Sequence, residues 1–404
     1  MNYEREAVED WATDWDHHHR QWVDDPYPIW EQLREGCPMA HTDRYNEGVW
    51  LPLHYDDVAQ IAHDTEVFSN AHDGMTAGGT SPRVPMPPIS SDPPDHAEIR
   101  RAILPFFAPK RIEMWSTPIE DHCNELAAVI AERGHGDAAV DYAQHIPVFA
   151  IAAILGVDPA DGDLFRQWIR RFSELGDLDP DLRRQTTEEI TEYLLNEIAD
   201  RRKSPGDDLI SHLTEVKIEG RALDDDLIRQ ICVLQLLAGI DTTWSAIGAS
   251  LWHLATHPED RARLVNEPEL IPTAVEEMLR AYAPVNVVRR VTQPATVRGV
   301  EVKPGDSIML AFPIACRDPQ VFEQADRVVI DRERNRHVAF GIGIHRCLGS
   351  NLARLEIETA LTTWLKHIPD FELSPDANVT WSDGQIRGPR TIPITLKLPP
   401  NTNV

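Results

Sequence analysis

Phe340-Gly341-Ile342-Gly343-Ile344-His345-Arg346-Cys347-Leu348-Gly349 sets one cysteine between a glycine-punctuated loop and the start of a helix expected over about 348–365. Glycines let a backbone close on a flat ligand, and backbone N–H groups at a helix start stabilise a thiolate. A single cysteine is by itself most often an inert buried residue. In this setting Cys347 reads as a thiolate ligand. The other four cysteines, Cys37, Cys123, Cys232 and Cys316, lack such a setting. Five scattered cysteines do not read as a disulfide framework or a zinc knuckle, so reduced thiols are expected.

The chain around this loop has 404 residues, with 39 Lys and Arg against 66 Asp and Glu, a formal charge of −27. Such acidity disfavours nucleic acid and anionic membranes as partners, because both require basic surface. With 42% apolar and 26% charged residues, the composition is that of an ordinary globular chain. No Gly/Ser linker or low-complexity run divides it, so one large domain over 1–404 is expected. The start, MNYEREAVEDWATDWDHHHR, lacks the order of a signal peptide, and no stretch reads as about 18 apolar residues in a row. A cytoplasmic location is expected. His17, His18 and His19 lie in a polar segment and are expected to form solvated surface rather than a metal site.

Periodicity sorts the rest of the chain. Extended stretches such as 48–53 place strands near the N-terminus, before a Pro/Gly/Ser-rich loop over 73–94. From His96 the pattern is mainly helical. Residues 183–203 space apolar side chains as an amphipathic surface helix does. Residues 224–257 open with three aspartates, which suit a helix N-terminus, and are then apolar nearly all round, as a central buried helix is. The polar run Gly239-Ile240-Asp241-Thr242-Thr243 interrupts that helix in its middle. A further helix is expected over 269–282, short strands over 287–309 and a strand-like tail over 390–398. These patterns give a mainly α fold with a smaller β region. The β-rich part is largely 1–95 with 285–310 and 380–400, and the helical part is 96–284 and 348–366. No dinucleotide fingerprint or phosphate loop is present.

Residues 340–349 closely resemble the haem-binding loop FGxGxHxCxG of the cytochrome P-450 family, and the resemblance extends over nearly the whole chain. It implies the cytochrome P-450 fold, with haem b, iron protoporphyrin IX, between the long central helix and the cysteine loop. Cys347 is then the axial iron ligand, flanked by Phe340 and Gly341, and a thiolate in that place favours O–O cleavage. Ala238-Gly239-Ile240-Asp241-Thr242-Thr243 resembles the oxygen-activation motif. It implies that Gly239 leaves space above the haem and that Asp241 and Thr242 deliver protons to dioxygen. Glu277 and Arg280 match the ExxR motif, with Arg334 as third member of a structural charge cluster. Cations for the haem propionates are implied at His96, Arg100, His345 and Arg290, with adjoining Arg289 an equal alternative to Arg290.

In motif detail the chain resembles haem domains of reductase-fused bacterial members and stand-alone relatives that degrade xenobiotics. The sequence given shows no flavin or iron–sulfur segment. The resemblance therefore implies electrons from NAD(P)H through a separate ferredoxin and its NAD(P)H-dependent reductase. Arg101, Lys110, Arg111, Arg346 and Arg354 are the candidate landing patch. A hydrophobic small-molecule substrate is implied, lined by Val84, Met86, Leu234, Ala238, Val285, Val287, Val288 and Ile386. The expected activity is monooxygenation, by hydroxylation or oxidative O-dealkylation. A peroxygenase or isomerase, and a haem sensor or electron carrier, are the rival readings. The Asp241 and Thr242 pair argues against them.

Overall fold

The computed structural model describes residues 6–45, 48–71, 84–176 and 179–397. Residues 73–83 of the expected loop, and Leu398 of the tail, lie outside that set. One five-stranded sheet is assembled from two distant parts of the chain. Strands β1 (Met39–Thr42) and β2 (Val49–Pro52) pair antiparallel, and β3 (Phe68–Ser69) follows after a short helix. The sheet is completed by β4 (Asn286–Val291) and β5 (Ser307–Ala311), in the order β1-β2-β5-β4-β3. β4 joins antiparallel to β5 and to β3, with Ser69 opposite Arg290. Alternation along β4 therefore decides which of its side chains turn toward the helices.

The helices used below are α1 (Asp95–Ile103), α2 (Ser116–Arg133), α3 (His145–Leu155), α4 (Pro180–Lys203), α5 (Asp225–Thr256), α6 (Ile271–Ala281) and α7 (Ser350–His367). Helix α5 begins where Asp224 caps it, accepting a hydrogen bond from the Leu227 N–H at 2.8 Å. Its 32 residues, a length of roughly 48 Å, run through the main core. The polar run does not interrupt it. The Thr242 hydroxyl donates to the Ala238 carbonyl at 2.7 Å, one turn back, so the polar side chain is satisfied while the backbone ladder continues. Helices α3, α4 and α7 pack against α5, and α7 also packs along α2. The tail returns as β6 (Pro389–Thr391), which lies against α5.

Two sequence expectations need correcting here. His17 is buried, with its ring stacked on Tyr45 at 4.9 Å in a cluster with Trp15 and Trp22, and His18 Nδ1 lies 3.3 Å from Asp383. Trp15, beside it in sequence, and Tyr45, folded back after β1, cover what the polar local sequence suggested was solvated. Secondly, Ala138–Leu155 and Asp225–Thr256 are each long and apolar enough to cross a membrane, but 67% and 78% of these windows are buried inside the protein. Their apolar character is that of core helices.

Candidate functional site

A single cavity brings the cysteine loop and the middle of α5 together. On the loop side, Gly341 and Gly343 have φ of 69° and 76°. A Cβ on Gly343 would sit 2.6 Å from the Ala62 carbonyl oxygen, so no other residue fits there. The Cys347 N–H donates to the Phe340 carbonyl at 2.7 Å, which closes the loop and turns the thiol into the cavity beside Phe340 and Gly341. Cys347 is exposed to the cavity, and desolvation by the protein packed around it raises the thiol above its ordinary pKa. The Gly349 N–H and the guanidiniums of Arg100, Arg346 and Arg354 pull the other way.

On the α5 side, Leu234, Ala238, Gly239 and Thr242 line the same cavity. Gly239 is required by packing: its Cβ would lie 2.4 Å from Ile151 Cδ1, which itself lines the cavity from α3. The absent side chain thus admits Ile151, a different reason from the open space expected. Asp241 does not line the cavity. It is fully buried, and its Oδ1 accepts from Arg390 Nη2 at 2.6 Å, while Oδ2 has no hydrogen-bond partner. Burial pushes its pKa up to about 6, with Arg390 opposing and Glu174 adding to the rise.

Four cationic or ring donors border the cavity: His96 and Arg100 from α1, Arg289 from β4, and His345 from the loop. Arg289, not Arg290, belongs to this set. Val285, Val287 and Arg289 are alternate residues turned inward, whereas the Arg290 guanidinium turns out to the Gly305 carbonyl. His96 Nε2, Arg289 Nε and His345 Nε2 are buried without hydrogen-bond partners, although the two histidine rings lie only 4.4 Å apart. Burial pulls Arg289 down to about 10, with Asp92 partly restoring it. Burial, then Arg289, His96 and Arg100, bring His345 to about 2. Buried donors are almost always paired. Three unpaired ones at one edge of one cavity are arranged for an anionic ligand.

Glu277 and Arg280 form the opposite case. Arg280 grips Glu277 through two bonds of 2.8 Å, and its Nη1 also donates to the carbonyls of Cys316 and Ala325. The third cation is Arg332, at 2.8 Å from Glu277 Oε2, with Asn335 Nδ2 at 3.1 Å. Arg334 is exposed instead. The turn closed by the Arg332 N–H on the Val329 carbonyl points residues 332 and 335 inward and 334 outward.

Of the expected substrate-lining residues, Leu234, Ala238, Val285 and Val287 line the cavity. Val84 and Met86 pack into the main core, Val288 turns to the tryptophan cluster across the sheet, and Ile386 bridges Val285. Pro88 and Ile89, within the loop 81–89 expected to line the pocket, also line it, as do Ile151, Ala246 and Leu279, which local pattern did not single out. In the candidate partner patch Arg101, Lys110 and Arg346 are exposed. Arg111 is paired with Asp207 at 2.8 Å. Arg354 is paired with Glu276 at 2.5 Å and lies 4.6 Å over the Phe340 ring. Both are structural ties first.

The fold and site define a helical domain in which a cysteine on a glycine loop faces the polar middle of a long buried helix across a cavity. The family model described as Cytochrome P450 matches residues 165–387. The chain is 32% identical over 380 residues to mycinamicin IV hydroxylase/epoxidase of Micromonospora griseorubida, covering 90% of this chain and 94% of that protein. It is 30% identical over 400 residues to the polyketide biosynthesis cytochrome P450 PksS of Bacillus subtilis, covering 94% and 98%. The structure of CYP109E1 from Bacillus megaterium in complex with testosterone superposes with a TM-score of 0.83 at 30% identity, over 93% of this chain and 98% of that one. The chain belongs to the cytochrome P450 family and is an oxidoreductase of its monooxygenase class. The family implies a haem-iron cofactor. The residues present fit one: a thiol on one wall, apolar side chains around it, and unpaired buried donors at one edge.

Proposed function

We propose that this protein is a cytoplasmic haem b monooxygenase that inserts one atom of dioxygen into a hydrophobic small organic substrate, by hydroxylation or oxidative O-dealkylation. Electrons come from NAD(P)H through a ferredoxin and its reductase. The observation that carries this reading is the common cavity of Cys347, Thr242 and the unpartnered donors His96, Arg289 and His345. Haem b, when bound, supplies the redox centre at which dioxygen is reduced. Cys347 holds the iron, and Arg289, Arg100, His96 and His345 meet the two propionates, ending the isolation of their buried donors.

The chain's own residues then manage protons and water. Thr242, fixed by its bond to Ala238, keeps oxygen lone pairs toward the cavity. Asp241, one residue earlier, leaves Oδ2 without a hydrogen-bond partner, and that oxygen would take up and release the proton. Two protons are needed for the second oxygen atom to leave as water; Thr242 would hand them on at the cavity, and Asp241, buried behind it, would resupply them. The walls formed by Ile89, Ile151, Leu234, Ala246 and Val287 exclude bulk water and leave little polar anchoring. That supports an apolar substrate, as do relatives named for mycinamicin IV and solved with testosterone. For the electron donor, the exposed cations Arg101, Lys110 and Arg346 offer an acidic ferredoxin a landing site on the cysteine side.

The test uses surrogate ferredoxin and reductase. Wild-type protein is expected to consume NAD(P)H and dioxygen with matching product. Thr242→Ala is expected to keep haem and substrate binding but divert reducing equivalents into peroxide. A fully coupled Thr242→Ala variant contradicts the assignment.

A further inference from the structure

The proton-delivery reading leaves one buried group unexplained. Arg390, on β6, reaches 149 positions back along the chain to Asp241 with Nη2 at 2.6 Å, and its Nη1 donates to Ser245 Oγ at 3.1 Å. Its Nε donates to Glu174 Oε1 at 2.5 Å. The guanidinium also lies 4.4 Å over the Trp244 ring. Glu174 comes from a third part of the fold, the wide helical turn over residues 170–175 that precedes α4. One cation is thus shared between two carboxylates, and its three nitrogens are all engaged. Burial works against the Arg390 charge, yet Asp241 and Glu174 hold its pKa above the ordinary value. Arg390 is mostly buried, with side-chain exposure of 12%, and Glu174 with 17%, so solvent screens these contacts little.

A buried acid with no counterion stays protonated and gives up its proton poorly at neutral pH, whereas one gripped by an unshared cation stays ionised and carries none. Sharing places Asp241 between these limits. We propose that Arg390 and Glu174 are positioning residues for Asp241, a buried relay that holds the carboxylate beside the cavity and sets, with opposite signs, the pH range over which it hands on protons. The proposal rests on the reading of Asp241 as a proton donor. The charged groups facing Asp241 are Arg390 from β6 and Glu174 from the 170–175 turn, with Ser245 a polar neighbour on α5 itself. Glu174 competes for the same guanidinium and adds its own negative charge.

The experiment is an infrared titration of the Asp241 carboxyl stretch in the haem-loaded protein, isolated as the difference between wild type and Asp241→Asn. It is paired with coupling of NAD(P)H to product over the same pH range. The wild-type midpoint is expected near about 6. Arg390→Gln is expected to raise it by about one pH unit or more, because an adjacent cation lowers a carboxyl by ~1–3 units. Glu174→Gln is expected to lower it by a smaller amount, and Arg390→Lys to restore most of the wild-type value. Coupling should follow the same order of pH. Haem content and the carbon monoxide spectrum establish that each variant is folded, and if Arg390→Gln is not, the fall in Glu174→Gln still decides. Shifts of the same sign, or no shift in either variant, overturn the relay. Full coupling in Asp241→Asn overturns the reading of Asp241 as donor instead, whatever the two neighbours do to its titration.

Discussion

Two buried charged clusters of this domain are finished to different degrees. Around Glu277, both carboxylate oxygens and all three guanidinium nitrogens of Arg280 have partners within the protein. At the cavity edge, His96, Arg289 and His345 each present a buried nitrogen with none. Burial of polar groups is tolerated only when they are paired. The first cluster is complete without anything else and is structural. The second leaves nitrogens that an anion would complete, as the proposed haem propionates would. The same residue type, arginine, is sorted into scaffold and site by whether its bonds are spoken for.

The comparison can be broken first at its strongest point. Glu277→Ala leaves Arg280 and Arg332 as uncompensated buried charge, and a loss of about 3–5 kcal/mol is expected in thermal or denaturant unfolding. A change under about 1 kcal/mol would mean that the cluster is not structural. Within it, Arg332→Ala should be strongly destabilising and should lower haem retention, whereas Arg334→Ala should lie within about 0.5 kcal/mol of wild type, as exposed substitutions do. Equal effects would return Arg334 to the cluster.

The cavity edge should behave in the reverse way. Arg289→Leu removes a lone buried cation, so the haem-free protein is expected to become more stable while haem is lost more readily; Arg290→Leu should change neither greatly. Haem transfer to an acceptor apoprotein, beside unfolding of the haem-free form, measures both. A smaller effect concerns Glu276. Burial works against its charge, yet His337 and Arg354 hold its pKa down to about 2 from an ordinary 4.5. A carboxyl depressed in the fold contributes stability that is present above its unfolded value and lost as pH falls toward the folded one. Glu276→Gln should therefore flatten the loss of stability between pH 4.5 and about 2. An identical acid profile would show the pair to be energetically idle. Smallest of all, Arg101→Glu with Arg346→Glu should slow reduction by ferredoxin at low salt and leave folding unchanged, read by stopped-flow spectroscopy.

What was legible in the sequence follows the distance over which each feature is encoded. The cysteine loop is local: the glycines at 341 and 343, the cysteine and the helix behind it are contiguous, and their geometry is dictated by neighbours in sequence. The choice between Arg289 and Arg290 was also encoded, in the alternation from Val285 and Val287, once β4 is recognised as a strand with one face on the cavity. Arg332 was missed because a turn, rather than a regular helix or strand, decides which side chains of 331–335 face inward. The requirement for Gly239 lies in Ile151 of another helix, and the partner of Asp241 lies at Arg390. Contacts of that kind leave no mark in local periodicity, because nothing in either segment alone demands them.

The central claim is that Cys347 and the unpaired edge donors form a haem-thiolate site. The most direct measurement is the absorption spectrum of the dithionite-reduced protein with carbon monoxide, recorded beside Cys347→His. The expected result is the far-red-shifted Soret band of a thiolate-ligated haem in wild type and its loss in the variant. Wild-type protein that takes up no haem, or that gives the same spectrum as Cys347→His, contradicts the ligand assignment and the proton-delivery account built above it.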